Sequence, residues 1–90
     1  MTPIKTGSLK CVVLASTGDR AAAMRALIDR VGANDVRAYG AAAILLHTEE
    51  PSAAVRDLVT EADGALVVEF ETWSGIGAEV PREWLLARGH

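Results

Sequence analysis

The chain is poor in the residues that carry most site chemistry. It has one cysteine, two histidines, one tyrosine, one phenylalanine and two tryptophans in 90 residues. A single cysteine forms no internal disulfide. Two histidines and one cysteine without a repeated spacing lack the pattern of a metal centre, so no metal or other cofactor is expected. With aromatics restricted to Tyr39, Phe70, Trp73 and Trp84, the core must be built from Ala, Val, Leu and Ile. No apolar stretch approaches the ~20 residues that span a bilayer. Lysine and arginine are dispersed and the formal net charge is −3. Nucleic-acid binding draws on clustered positive charge, so neither nucleic acid nor membrane is an expected partner. Met1 to Ser8 is polar and lacks the charged start and apolar stretch of a secretion signal, which points to a loop and a cytoplasmic location.

What is present indicates one small folded domain. Hydrophobic residues make up 50% of the chain and charged residues 23%, a balance that favours a packed core over disorder. The most telling segment is the unbroken run Ala41-Ala42-Ala43-Ile44-Leu45-Leu46, echoed by Cys11 to Ala15 and Ala65 to Val68. A strand buried on one face alternates apolar and polar residues, because successive side chains point to opposite faces. These runs read as strands covered on both faces, so something must lie on the second face.

The spacing predicts a strand over 9–15 and a helix over 20–31, with Met24, Leu27, Ile28 and Val31 on one face. Ser16, Thr17 and Asp19 are candidate N-caps, and Gly32 is the C-terminal stop. A short strand over 36–39, a reversal at Gly40 and a strand over 41–47 follow. A second helix opens at Thr48-Glu49-Glu50-Pro51, with its acids towards the positive end of its dipole. It carries Val55, Leu58, Val59 and Ala62 on one face and stops at Asp63-Gly64. A fourth strand covers 65–72. The order β-α-β-β-α-β is the α+β, ferredoxin-like sandwich: a four-stranded antiparallel sheet with strands one and three central and both helices on one face. Residues 9–73 form this domain. Residues 74–90 read as a glycine-containing linker and a short helix, Arg82 to Arg88. So short a helix is not stable alone and must dock, on its own sheet or on another chain.

The candidate chemistries each have a plainer reading. Cys11 lies in an apolar strand with Lys10 directed to the opposite face, so it reads as a small buried hydrophobe. His47 ends a strand and is expected to face solvent. Glu69 and Glu71 share one side of an edge strand, where such a pair keeps a sheet soluble. The Ser16–Asp19 junction has one glycine and no following lysine, unlike a phosphate-binding loop. Arg20 lacks the glycine-rich surroundings of an acylphosphatase loop. No catalytic residue is assigned.

Strand one, the segment Leu27-Ile28-Asp29-Arg30-Val31-Gly32, the hairpin around Val36 to Leu46, Val55-Arg56-Asp57-Leu58 and the closing Ala65-Leu66-Val67-Val68-Glu69 resemble subtilase propeptides and their stand-alone inhibitor relatives. That resemblance covers about residues 9 to 73. It implies a helix-free sheet face that packs on a protease and a tail, Trp73 to Val80, that enters the cleft. The chain departs from that pattern in its shorter hairpin and in the helix of its tail.

The expected function is a non-catalytic interaction or accessory domain that self-associates, as a homo-oligomer, or binds another protein. It would use the helix-free face and the C-terminal segment, with Val67, Glu69, Trp73, Ile76, Trp84 and Leu85 as contact residues. The alternatives are a propeptide-like inhibitor or folding helper of a subtilisin-type protease, and a small dimeric enzyme with a pocket using His47 or Tyr39.

Overall fold

The computed structural model describes residues 7–15, 18–60 and 64–90. Its elements run β1 (Ser8–Leu14), α1 (Arg20–Val31), a 3-10 turn (Ala33–Asp35), β2 (Val36–Tyr39), β3 (Ala43–Thr48), α2 (Ser52–Leu58), β4 (Ala65–Phe70) and α3 (Arg82–Ala87). The strands form one sheet in the order β2-β3-β1-β4, and every neighbouring pair is antiparallel. This is the ferredoxin-like arrangement, with β1 and β3 central, extended by a C-terminal helix.

The local chemistry explains the elements. Asp19 caps α1, its carboxylate accepting from the Ala22 amide at 3.0 Å, and Gly32 closes it with a positive φ of 105°. Arg20 donates to the Gly40 carbonyl, tying the start of α1 to the β2–β3 turn. Gly40 has φ 64°, a conformation that disfavours a side chain. The Ser16 and Thr17 caps, the Ala62 and Asp63 assignments in α2, and most of the expected N-terminal loop lie outside the described residues.

Several element limits differ from expectation; α2 ends at Leu58, leaving Val59 beyond it, and β1 and α3 shift by a residue at their ends. The reversal after β2 takes three residues, so Ala41 and Ala42 belong to the turn and β3 begins at Ala43. The Ala42 carbonyl still accepts from the Leu14 amide at 2.8 Å, continuing the line of bonds to β1. The fourth strand stops at Phe70, because its partner begins at Ser8 and Leu9 already pairs with Phe70. Glu50 precedes α2 and instead takes Arg30, with the guanidinium 2.7 Å from its carboxylate.

The helix-packed face carries Val12, Leu14, Val36, Ile44 and Leu46, which meet Ala23 and Leu27 of α1, Val55 of α2 and Val59. Ala65 and Val67 pack at the margin of this core. These are aliphatic residues throughout, as the scarcity of aromatics requires. Among the described residues no helix is long and apolar enough to cross a membrane.

Candidate functional site on the helix-free sheet face

The cross-strand register orders the opposite face into three rows. Tyr39, Ala43, Val13 and Leu66 make the first; Arg37, Leu45, Cys11 and Val68 the second; His47, Leu9 and Phe70 the third. The C-terminal segment crosses this face and covers it unevenly. Leu85 of α3 is buried at 3% exposure, and with Leu9 and Leu45, also buried, it floors an apolar cleft. Tyr39, Phe70 and Trp73 stand around that floor, and Val80 and Pro81 close it on the side of the crossing segment.

Polar contacts hold the segment down. The Trp84 indole donates to the Asn34 carbonyl at 2.9 Å, and the Arg88 guanidinium lies 4.4 Å from the Trp84 ring centroid. Arg88 also pairs with Asp35 at 2.9 Å and donates to the Asn34 carbonyl. These contacts bring α3 against the 3-10 turn that opens β2, and Trp84 and Arg88 lie beside Val36, Arg37 and Ala38 of that edge strand. Further along, the Trp73 indole donates to the His90 carbonyl at 3.2 Å, and His90 Nε2 lies 2.8 Å from His47 Nδ1. The C-terminal helix therefore docks on its own domain. His47 is half-buried against another imidazole, not directed at solvent as expected.

The quadrant nearest β4 stays open. Leu66 is 63% exposed, and Val13 and Val68 are each 40% exposed. They occupy the β1 and β4 positions of the first two rows, with half-buried Cys11 between them and the cleft. Among the described residues the outer edge of β4 has no strand beside it in the sheet order.

This register redistributes the expected contact residues. Val67 and Glu69 belong to the helix-packed face: Val67 packs on the core and Glu69 pairs with Lys10. Trp73, Trp84 and Leu85 hold the C-terminal segment to the sheet. Ile76 alone of the six is almost fully exposed, at 93%, in the loop before α3. Leu66, Val68 and Val13 were not among the expected residues. Nothing local in the sequence points to them: the direction of the β4 side chains goes with the long-range pairing of Lys10 with Glu69.

Lys10, Ser8 and Glu69 form a tight polar cluster on the β1–β4 pair. The Lys10 side chain is 1% exposed, with its ammonium 2.6 Å from Ser8 Oγ and 2.9 Å from Glu69 Oε1, while Ser8 donates to the same carboxylate at 2.7 Å. A serine beside a lysine is a possible nucleophile pair when the lysine can accept a proton. Here the ion-paired ammonium donates to both neighbours and Ser8 directs its proton to Glu69, so the cluster works as a strand-end clamp. The hydrogen bond from Lys10 chiefly, then that from Ser8 and the lysine charge, hold the Glu69 carboxyl below its usual range. A folded-state value below the unfolded one adds stability that is complete above the unfolded value of 4.5 and is lost as pH falls through the folded one. Glu69→Gln is accordingly expected to lower the urea midpoint at neutral pH. The deficit should shrink steadily on acidification below that range, and a deficit independent of pH would contradict this role.

Cys11 is half-buried. Burial pushes its thiol up, outweighing the opposing effect of a backbone hydrogen bond at Ile44. That favours the poorly nucleophilic protonated form. Among the described residues no group of three or more His, Cys, Asp or Glu side chains is placed to hold a metal ion. The chain matches no protein-family model, no curated protein and no solved structure.

Proposed function

We propose that this chain is a non-catalytic interaction domain that takes a second copy of itself on the β4 edge and the adjoining open quadrant of the sheet. The observation that carries this reading is the unequal protection of the two edges. Trp84 and Arg88 stand beside the start of the β2 edge, whereas among the described residues no strand pairs with the outer edge of β4, which is flanked by exposed Leu66, Val68 and Val13. A bare apolar edge strand is a template for another strand, and natural sheets usually blunt it with charge or proline. In Ala65-Leu66-Val67-Val68-Glu69-Phe70 there is no proline, and the one charged side chain is paired with Lys10.

A second copy fits this surface better than an unlike strand would. Two β4 strands meeting antiparallel about a two-fold axis at Val67 set Leu66 of each copy opposite Val68 of the other on the helix-free face, and Glu69 opposite Ala65. The same register keeps the two Glu69 carboxylates from facing each other, which like charges disfavour. An isologous contact of this kind uses one patch twice, as two-fold dimers do. Apolar burial at ~25 cal/mol per Å² supplies the driving force, and a stable interface needs ~800 Å² from each copy.

Amide chemical shifts recorded over a dilution series from millimolar to micromolar protein test this reading. Residues 65–70 and 11–13 are expected to shift with concentration, while 33–38 under the C-terminal helix stay fixed. Shifts that do not depend on concentration, as when the patch serves an unlike protein, would overturn self-association.

A further inference from the structure

A second feature of the sheet face is independent of self-association. Aromatic side chains are scarce here, one Tyr, one Phe and two Trp in the whole chain. Yet Tyr39, Phe70 and Trp73 line a single cleft between the sheet and the C-terminal segment. They come from β2, from β4 and from the start of the crossing segment, so the chain's fold rather than its local sequence gathers them. The helix-packed core uses aliphatic residues throughout. The helix-packed core therefore does not depend on aromatic packing.

We infer that this cleft is a binding site for a small, neutral molecule with a flat aromatic or conjugated ring. Its volume, about 390 Å³, falls in the range of ligand pockets, ~300–1,000 Å³. Its floor of Leu9, Leu45 and Leu85 is buried, so a molecule seated there leaves water on one side and meets close-packed aliphatic surface. Aromatic walls favour a planar guest through stacked or edge-on contacts. None of the residues lining the cleft is charged, so an ionised guest would lose hydration without a counter-charge. The hydroxyl-bearing residues at the wall, Tyr39, Thr72 and Ser74, suit one polar substituent such as a hydroxyl or carbonyl group. The guest would be an effector or cargo rather than a reactant, since the lining brings no acid, base or nucleophile stronger than these hydroxyls.

One wall of the site lies outside the helix-packed core. The wall from Ser74 to Val80 is an irregular segment held by Arg82, which donates to the Gly75 and Gly77 carbonyls at 2.9 Å each. Gly75 sits so close to Val80 that an added Cβ would come within 3.0 Å of both its methyl groups, so this wall is closed by contact between two residues.

Titration with the neutral fluorophore N-phenyl-1-naphthylamine, followed by its emission and by the Trp73 indole proton resonance, tests the site. Saturable one-to-one binding with a dissociation constant of about 10⁻⁴ M or tighter is expected, with shifts at Trp73, Phe70 and Leu85. Val80→Trp, which fills the cleft from its exposed wall, should weaken binding at least about tenfold (~1.4 kcal/mol), as should Leu45→Trp from the floor. Leu66→Lys, at the open quadrant, should leave it unchanged. Absence of saturable binding, or binding that survives Val80→Trp and is lost in Leu66→Lys, would overturn the assignment. The second pattern would place the dye on the self-association patch, so the two proposals fail separately.

Discussion

Leu85→Ala is expected to destabilise the protein by about 3 kcal/mol and to release the C-terminal segment from the sheet. Leu85 is 3% exposed and is the one fully buried side chain of α3, a helix of six residues. Helices of that length have no stability of their own in water, so α3 exists because its buried face docks. Truncation removes buried methyl groups from the cleft floor that Leu85 shares with Leu9 and Leu45. The remaining ties, among them Trp84 and Arg88 to Asn34, Arg88 to Asp35 and the contacts of His90 with Trp73 and His47, are at or near the surface, where polar contacts contribute less than the burial of a leucine. Amide exchange should accordingly lose protection over 82–87 before the sheet opens. Leu86→Ala is the matched control: Leu86 is 64% exposed, and its truncation should change stability by less than about 0.5 kcal/mol. Equal effects from the two substitutions, measured by urea unfolding, would mean that α3 is not held by Leu85.

The other large effect concerns association. The double substitution Leu66→Lys, Val68→Lys is expected to weaken self-association at least about a hundredfold, ~2.7 kcal/mol, while leaving the monomer folded. Both side chains already lie substantially in solvent, so the monomer loses little when they become charged. In the dimer the same changes set lysines of the two copies against one another in a dehydrated contact, and natural edge strands use lysine for this purpose. Circular dichroism and sedimentation of the same samples separate the two outcomes. A variant that unfolds, or one that associates like the wild type, would count against the proposed surface.

Much of this fold was legible in the sequence, for identifiable reasons. The limits of α1 follow from four apolar residues at helical spacing, a capping aspartate and a terminal glycine, all acting within one element. The central places of β1 and β3 follow from their apolar runs, because both faces of these strands are covered over much of their length. The first turn residues of the Ala41–Leu46 run were not legible, since alanine fits a turn and a strand equally well. The direction of β4 was not legible either. Leu66 and Val67 are both apolar, so alternation cannot tell which faces the helices. A long-range pairing decides it: Lys10 enters the helix-packed face and draws Glu69 to the same side.

The candidate site divides in the same way. The need for something to cover the second sheet face could be read from the apolar runs, and the C-terminal tryptophan helix was a visible candidate. That this helix covers one part of the face and leaves the β4 quadrant bare depends on contacts such as Trp84 to Asn34, 50 residues apart. The same distance hides the cleft, whose aromatic walls come together only after the chain has crossed the sheet.

Sedimentation equilibrium of the wild-type chain across micromolar to submillimolar loading tests the account most directly. The bare β4 edge predicts a reversible monomer–dimer equilibrium, with the mass rising from 9.5 kDa towards twice that value, and no such rise for the Leu66→Lys, Val68→Lys variant. A mass of 9.5 kDa at every loading would contradict it.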